Sequence, residues 1–334
     1  MVSTGPRVSV IIVNYNGQHL LGELFDSLAK QTRPADEVIM VDNGSVDGSI
    51  EYVSQHFSWV KVVASPVNTG YAKGNNIGLA NATGEYIALL NSDTVVEERW
   101  LSELVKMLNT DETIGAAVSK IYLATKTPTI DCAGAEFNNL GFVWGRGTNE
   151  PDRGQFETVM EVPSLTACAA LIRRSAVGTE PLFDSRLYMY YEEFDLALRL
   201  RGRGYSIVYV PTSLVYHKRS QSVQKLGQPR LFHQFYSNRN RIKLLAKYYP
   251  FAMLLPALPL ILLSLIYCDW VFLREGEPRL FLRAVASQVH YAAQGLVERF
   301  RGGSVDTRQW VPWMTKQGLR EVLTLRSKLG TYVQ

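Results

Sequence analysis

The chain has 334 residues, of which 46% are hydrophobic, and its formal net charge is +4. This size and apolar content suit one substantial α/β domain with an appendage. The small net charge gives no support to a nucleic-acid-binding protein, because such proteins depend on a strongly basic surface. The three cysteines (Cys132, Cys168 and Cys268) lie far apart without metal-ligand spacing, so we expect buried thiols in a reducing compartment.

Strand and helix patterns alternate through the first half, beginning with a β-branched apolar run at Val8. No charged region followed by a long apolar one precedes that run, so we expect no secretory signal peptide and a cytoplasmic catalytic part. Strand patterns lie at residues 8–13, 38–41, 60–64 and 86–90, and helical patterns at 18–28, 47–56, 72–82 and 98–108. This alternation predicts a mostly parallel sheet that is covered by helices on both faces.

From residue 125 to residue 163 the pattern loosens into glycine, asparagine and aromatic residues. We expect a long excursion with at most one hairpin, and excursions of this length are often functional. Trp144 and Arg146 make it a candidate acceptor-side loop or lid. Ordered patterns resume at 164–173, with a helix at 192–203 and a strand at 206–210.

The composition changes after Gln221. Residues 232–249 predict an amphipathic helix with four basic residues (Arg239, Arg241, Lys243 and Lys247). Residues 251–273 are almost wholly apolar and come close to the ~20 residues that cross a bilayer. They are interrupted by Pro256, Pro259 and Asp269 and flanked by Lys247, Arg274, Arg279 and Arg283. A single span, a helix pair in one leaflet, a helix in the membrane interface and a buried hairpin of a soluble domain all remain open.

Two of the predicted strands end in small polar residues and a carboxylate. Asp42 closes the second strand and is followed by Asn43, while Asn91-Ser92-Asp93 follows the fourth. Ligands of open α/β sheets bind beyond the carboxyl ends of the strands. Asp42 either accepts an N–H of a nucleotide base or belongs to a turn. Asp93 is suited to hold a divalent cation against a diphosphate. Together, Asp42 and Asp93 predict a nucleotide-sugar site.

Three further segments carry polar groups suited to this site. The glycine-rich residues 68–78 either present backbone N–H groups to phosphate or allow close helix–sheet packing. Glu192, Glu193 and Asp195 begin a predicted helix, where Asp195 suits an i,i+4 pair with Arg199 and a glutamate suits a general base. His217 follows the last strand and is either a satisfied structural partner or a ligand of a metal or diphosphate.

Five blocks in order resemble the family 2 glycosyltransferases, which are inverting enzymes with a GT-A fold. The blocks are residues 8–17, 37–45, 68–78, 89–93 and 191–196, and the resemblance covers residues 7–220. It implies an α/β GT-A domain at 1–225 with a Rossmann-like mixed sheet. The composition of the remaining residues, 226–334, predicts amphipathic and apolar helices that associate with a membrane.

The resemblance also implies roles for individual residues. Asp42 would bind the base, Tyr15 the ring or ribose, Asp93 and His217 a Mg²⁺ or Mn²⁺ ion, and Glu193 would be the catalytic base, with Glu192 as the alternative. The implied nucleotide-sugar-binding set is Asn14, Tyr15, Asn16, Asp42, Asn43, Gly70, Lys73, Asn76 and Asn91. Two departures from the family pattern are Asn91, where relatives carry an acid, and Glu193, where they carry an aspartate.

The closest branch by motif is the rhamnosyltransferase-like one of cell-surface polysaccharide assembly. It implies transfer of rhamnose or another hexose from a nucleoside-diphosphate sugar, by a single displacement, to a glycan acceptor on a polyprenyl diphosphate. The expected location is the cytoplasmic face of the inner membrane of a bacterium, with no nucleic-acid partner. Two alternatives stay open: a catalytically inactive nucleotide-sugar-binding partner, and a nucleotidyltransferase, for which Asn14-Tyr-Asn-Gly17 supplies no triphosphate loop.

Overall fold

The computed structural model of this protein describes residues 5–219, 229–301 and 306–315. The predicted boundary between residues 225 and 226 lies outside the described residues, so the division into two domains stays a prediction.

A ten-stranded mixed sheet forms the centre of the fold, with the strand order β10-β12-β6-β11-β4-β1-β2-β3 and with β5 and β7 beside β12 and β6. Its strands are β1 (Val8–Asn14), β2 (Glu37–Asp42), β3 (Val60–Ala64), β4 (Tyr86–Leu90), β5 (Thr94–Val96), β6 (Ile114–Leu123), β7 (Ile130–Cys132), β10 (Met160–Glu161), β11 (Ala169–Arg173) and β12 (Ser206–His217). A separate hairpin pairs β8 (Ala135–Phe137) with β9 (Val143–Gly145). Strands β3, β2, β1 and β4 are mutually parallel, and β11 joins β4 to β6 in antiparallel fashion.

Helices cover both faces of this sheet, as predicted. They are α1 (Gln18–Ala29), α2 (Ser49–His56), α3 (Tyr71–Ala80), α4 (Trp100–Leu108), α5 (Arg174–Val177) and α6 (Glu192–Gly202). Three longer helices follow them in the chain: α7 (Pro229–Tyr248), α8 (Phe251–Arg274) and α9 (Pro278–Arg301). The alternation of side chains along β1 explains the two layers. Val10 packs in one buried cluster with residues of α1, α2 and α4, and Ile11 packs in the other with residues of α3, α5 and α6.

The longest departure from the sequence patterns is β6, where no element was predicted. Gly115, Ser119 and Lys120 interrupt its apolar run, so the strand lacks the appearance of a buried one. Lys120 is nevertheless only 1% exposed, because its ammonium group is 2.6 Å from the carboxylate of Asp152. β12 also continues past the predicted end at residue 210, through a bulge between Val210 and Leu214.

Helix α8 is one continuous helix with both prolines inside it. Of the alternatives left open for residues 251–273, the helix pair is therefore wrong. The buried hairpin is wrong as well, since only 17% of the most apolar window of α8 is buried. Among the described residues this is the one helix long and apolar enough to cross a membrane. Asp269 does not interrupt its outer face, because its carboxylate turns inward to Asn238 and Gln288, each 2.7 Å away.

The basic residues of α7 also face the protein rather than a membrane. Arg239, Arg241 and Lys243 are at most 8% exposed. Arg239 donates to the carbonyl oxygen of Leu187, and Lys247 lies 3.0 Å from the carboxylate of Asp195. Lys247, which precedes α8 in sequence, is therefore held by a contact within the protein.

Two smaller sequence predictions are confirmed. Asp195 Oδ2 and Arg199 Nε form the predicted i,i+4 pair at 2.8 Å, and this pair is buried rather than on the helix surface. Cys132, Cys168 and Cys268 are buried free thiols.

Candidate active site

A cavity of about 380 Å³ opens where the parallel strands end. The residues directly after β1, β2 and β4 reach it, namely Tyr15, Asn43 and Asn91 with Ser92 and Asp93. The start of α6 and the first half of α7 form its other side. The fold therefore brings the strand-end residues and the acidic helix start, which the sequence predicted separately, into one cavity.

Asp93 and His217 lie together in this cavity. The Nε2 atom of His217 is 3.1 Å from Oδ1 of Asp93, and its Nδ1 atom is 2.6 Å from Oδ2 of Asp131. The other oxygen of Asp131 accepts a hydrogen bond from Arg219. Burial lowers the pKa of His217, but Cys168 and the carboxylates of Asp93 and Asp131 outweigh it and hold this pKa well above its ordinary range. The imidazole thus lies between two carboxylates.

The donors beside His217 fit a divalent cation that also binds phosphate. Asn91 Oδ1 is buried, and no hydrogen-bond partner for it occurs in the described part of the chain. No cluster of three His, Cys, Asp or Glu side chains suited to a metal occurs among the described residues. The protein would thus supply Asp93, the His217 imidazole and the Asn91 oxygen. Mg²⁺ is commonly held by one or two carboxylates together with substrate phosphates, so this sparse set fits.

Glu192 and Glu193 reach the cavity from the first turn of α6. Each has a buried Oε2 atom without a hydrogen-bond partner among residues that the structure describes. Burial and then the charge of Glu193 raise the pKa of Glu192 well above its usual value, and burial raises the pKa of Glu193. A carboxylate with a raised pKa is a better general base. Glu193 is the more exposed of the two, since Glu192 is only 3% exposed.

The backbone before these glutamates is strained. Tyr188, Tyr190 and Tyr191 have φ angles of 66°, 70° and 72°, in the left-handed region that side chains other than glycine rarely adopt. Such strain persists only where the surroundings enforce it and is common at active sites. Here Asn240 of α7 enforces it, because its amide donates to the carbonyl oxygens of Leu187, Met189 and Tyr190.

Helix α7 supplies a wall of the cavity that the sequence did not predict. Phe232, His233 and Ser237 line it, and the His233 ring packs edge-on to Tyr190 at 4.6 Å between centroids. Burial lowers the pKa of His233 to about 4, so its imidazole is neutral near pH 7. Periodicity places these residues on a helix, but no local motif marks them as part of a site.

Part of the predicted nucleotide-sugar set lies outside the cavity lining, around the end of β2. Asp42 is 1% exposed, and its carboxylate accepts hydrogen bonds from Asn14 Nδ2 at 3.2 Å and from the Ser45 backbone at 2.9 Å. Asn16 accepts from the backbone N–H of Val46. Asp42 thus forms the turn that the sequence left open as its alternative, and its contact with a base stays a prediction.

Three predicted binding residues of the glycine-rich segment, Gly70, Lys73 and Asn76, also lie outside the cavity lining. Gly70 has a φ of +83°, and a Cβ atom there would lie 2.6 Å from the carbonyl oxygen of Tyr188, so glycine is needed for packing. Asn76 exchanges two hydrogen bonds with the backbone of Phe183. Lys73 is exposed on α3. Gly70 and Asn76 thus have structural contacts, and contact of this segment with a phosphate stays a prediction.

The excursion at 125–163 contains more structure than predicted. Besides the β8–β9 hairpin it holds β7, which pairs with β6 and carries Asp131. Trp144 lines the cavity, whereas the Arg146 guanidinium stacks between the rings of Phe156 and Tyr209, at 5.0 and 5.1 Å. Asp131 and Arg219 are site residues that the sequence patterns missed, and whether the excursion is a lid stays a prediction.

Comparison with known proteins agrees with this geometry. The sequence model of the family described as "Glycosyl transferase family 2" matches residues 9–179. The crystal structure of GalNAc-T7 with UDP, GalNAc and Mn²⁺ superposes with a TM-score of 0.58 at 19% identity, covering 75% of this chain and 49% of that one. This likeness confirms the predicted GT-A fold.

Two relatives have names that state an activity or a biosynthetic process. The N-acetylglucosaminyl-diphospho-decaprenol L-rhamnosyltransferase of Mycobacterium tuberculosis is 27% identical over 64% of this chain and 76% of its own length. The O-antigen biosynthesis protein RfbC of Myxococcus xanthus is 29% identical over 65% of this chain and 18% of its own length. The chain spans between 18% and 35% of the length of three curated relatives that it matches at 29% to 31% identity.

Proposed function

Because the chain belongs to glycosyl transferase family 2, we propose that it transfers rhamnose or another hexose from a nucleoside-diphosphate sugar to a glycan acceptor on a polyprenyl diphosphate. The observation that carries the proposal is the meeting of two groups in one cavity. Asp93 and His217 lie on its strand side. On its helix side lie the Oε2 atoms of Glu192 and Glu193, which have no hydrogen-bond partner within the described ranges. The mycobacterial relative, whose name states a diphospho-decaprenol acceptor, supports the acceptor class.

The strand side of the cavity is the donor side in this proposal. Asp93 and His217, with the Asn91 oxygen beside them, would hold Mg²⁺ or Mn²⁺. Such a cation supplies positive charge to the departing diphosphate. Tyr15 and Asn43 line the same side, where the nucleoside would lie.

The helix side carries the proton transfer. Glu193, or Glu192 in its place, accepts the proton of the acceptor hydroxyl as that oxygen attacks the anomeric carbon. The new C–O bond forms on the face opposite the nucleotide while the bond to the diphosphate breaks, so the anomeric configuration inverts. The α7 wall of Phe232, His233 and Ser237 bounds the space in which the acceptor would lie.

The C-terminal helices support attachment of the protein to a membrane surface. Helices α8 and α9 expose apolar side chains along their outer faces, among them Leu255, Leu262, Ile266, Leu282, Val289 and Phe300. The exposed Arg274, Arg279 and Arg283 lie at the turn between them. An apolar face with cations at its edge is typical of helices that lie in the bilayer interface. We place this face on the cytoplasmic side of the inner membrane of a bacterium, in cell-surface polysaccharide assembly.

A donor screen tests the proposed function. Release of nucleoside diphosphate is measured with UDP-, dTDP- and GDP-sugars, each with Mg²⁺ or Mn²⁺, in the presence of a polyprenyl-diphosphate-linked N-acetylglucosamine in detergent. We expect acceptor-dependent release with one class of donor and a slower rate with free N-acetylglucosamine. Equal rates on the free sugar would contradict the lipid-linked acceptor, and no turnover of any donor would contradict the proposal.

A further inference from the structure

We propose that Asp131 is a positioning residue that acts through His217: its hydrogen bond to Nδ1 fixes the imidazole with Nε2 directed at the cation site beside Asp93. This inference rests on the proposed function, because it assigns a cation to that site. Asp131 belongs to neither of the strand-end motifs. Its role follows from where the sheet places it.

The sheet brings Asp131 and His217 together from two strands that both pair with β6. Asp131 is the middle residue of β7, and His217 is the last residue of β12. Their side chains are 86 positions apart in sequence, yet Nδ1 and Oδ2 are 2.6 Å apart. Since a carboxylate only accepts, Nδ1 carries the proton of this bond. The one ring nitrogen left to face the cavity is Nε2, which is 3.1 Å from Asp93.

Arg219 holds Asp131 in the orientation that this role requires. Its guanidinium donates to Oδ1 of Asp131, which is the oxygen that His217 does not use. A second guanidinium nitrogen donates to Asn149 Oδ1 at 3.1 Å. With one oxygen on Arg219 and the other on the imidazole, the Asp131 carboxylate cannot rotate without breaking a buried bond. This arrangement favours a supporting role over direct ligation of a cation by Asp131.

The chemistry of histidine ligands indicates how strongly Asp131 should affect the affinity for the metal. Metal-binding histidines usually donate their second N–H to a carboxylate, carbonyl or water, which fixes the tautomer and raises the basicity of the coordinating nitrogen. Loss of such a partner typically weakens metal affinity by about 10- to 100-fold. A residue that merely supported the fold would change stability instead, with the cation site unaltered.

The test is a titration of the full chain with Mn²⁺ alone, without donor or acceptor, by calorimetry and electron paramagnetic resonance. We expect Asp131→Ala to weaken Mn²⁺ binding by about 10- to 100-fold and Asp131→Asn, which keeps an acceptor oxygen, to weaken it less. The double variant Asp131→Ala with His217→Ala should bind no more weakly than His217→Ala alone, because Asp131 acts through the imidazole. Spin-echo modulation from a coordinated imidazole nitrogen should be present in the unchanged protein and lost in His217→Ala.

Asp111→Ala is the matched control, since it removes an exposed carboxylate outside the cavity lining. It should retain the Mn²⁺ affinity of the unchanged protein. Unchanged affinity in Asp131→Ala, or additive losses in the double variant, would overturn the inference, and thermal melts with circular dichroism identify any variant that fails to fold. Because no sugar is present, the titration gives its answer even if the donor screen finds no transfer.

Discussion

His217 Nε2 lies 3.1 Å from Asp93 Oδ1, although the two residues are 124 positions apart in sequence. The contact follows from strand pairing. Thr94, the residue after Asp93, opens β5 and pairs directly with His217 at the end of β12. A single short antiparallel ladder therefore fixes both side chains at the mouth of the cavity.

Metal removal is the first prediction. Chelation with EDTA should reduce donor turnover to background, and Mn²⁺ or Mg²⁺ should restore it, because the charge on the departing diphosphate then lacks its counterion. Asp93→Ala should lower kcat by at least about 100-fold, a size typical of lost electrostatic stabilisation. Both are measured by release of nucleoside diphosphate.

The control for Asp93→Ala is Glu112→Gln, which changes an exposed acidic residue in the turn before β6, outside the cavity lining. It should leave kcat and KM unaltered. A full rate in the presence of EDTA would remove the role given to Asp93.

The identity of the base is the second prediction. Glu193→Gln should lower kcat by about 100- to 10,000-fold, the range for a lost general base, with KM nearly unchanged. Glu192→Gln should lower it less if Glu193 is the base, and the order reverses if Glu192 is. Wild-type rates in both variants would remove the base from this helix start.

Much of this site was predictable because its residues follow recognisable strands. Asp93 and His217 each follow a strand pattern that sequence periodicity identifies, although His217 lies beyond the predicted strand end at residue 210. Asp131 does not, because its strand exists only by pairing with β6, whose apolar run is broken by Ser119 and Lys120. The wall formed by His233 was equally hidden, since an amphipathic helix does not reveal which partner its inner face will find.

The dependence of rate on pH is the third prediction. A general base works only when deprotonated, so kcat falls as the pH drops through its pKa in the complex. The pKa values of Glu192 and Glu193 are both raised by burial. The acidic limb of the profile should therefore lie above the pH of about 4.3 expected of an ordinary glutamate.

The pH profile of a Glu193 variant can also show which of Glu192 and Glu193 is the base. The negative charge of Glu193 contributes to the raised pKa of Glu192. If Glu192 is the base, Glu193→Gln should keep activity and move the acidic limb to lower pH. A limb at the ordinary glutamate value in the unchanged protein would contradict the assignment of either residue.

The link between α6 and α7 is the subject of the fourth prediction. Asp195 is 1% exposed and is bound by Arg199 at 2.8 Å, Lys247 at 3.0 Å and the Tyr248 hydroxyl at 2.7 Å. Asp195→Asn removes the carboxylate that Arg199 and Lys247 share and leaves them only the more exposed Glu180 and Glu298, so it should lower the free energy of unfolding by about 3 kcal/mol. Urea unfolding followed by circular dichroism measures the change, with the exposed Asp111→Asn as control.

The same contacts set how stability depends on pH. Burial opposes ionisation of Asp195, but Arg199, Lys247 and Tyr248 outweigh it and hold its pKa well below the usual value. A depressed folded pKa contributes stability that is present above the unfolded pKa of about 3.9 and is lost as the pH falls towards the folded pKa. The stability difference between the unchanged protein and Asp195→Asn should therefore shrink below about pH 4. A constant difference would show that the charge is not what stabilises this contact.

Membrane attachment is the fifth prediction, measured by sedimentation with phosphatidylglycerol vesicles. Ile266 and Leu262 are 67% and 51% exposed on the outer face of α8. Ile266→Glu should reduce binding about tenfold or more, because burial of such a side chain is worth about 1.5–3 kcal/mol and the introduced charge adds to that loss. Leu262→Glu should act in the same direction.

Two controls distinguish attachment through this face from non-specific binding to vesicles. Val46→Glu is the matched control, since Val46 is 90% exposed and lies on the loop after β2 rather than on α8 or α9, and this variant should bind vesicles like the unchanged protein. Replacing Arg274, Arg279 and Arg283 by glutamine should weaken binding to anionic vesicles by about 1 kcal/mol each at low salt and have little effect on neutral ones. If Ile266→Glu bound vesicles normally, or if Val46→Glu lost binding equally, the outer face of α8 and α9 would not be the membrane surface, and the acceptor would have to reach Glu193 without it.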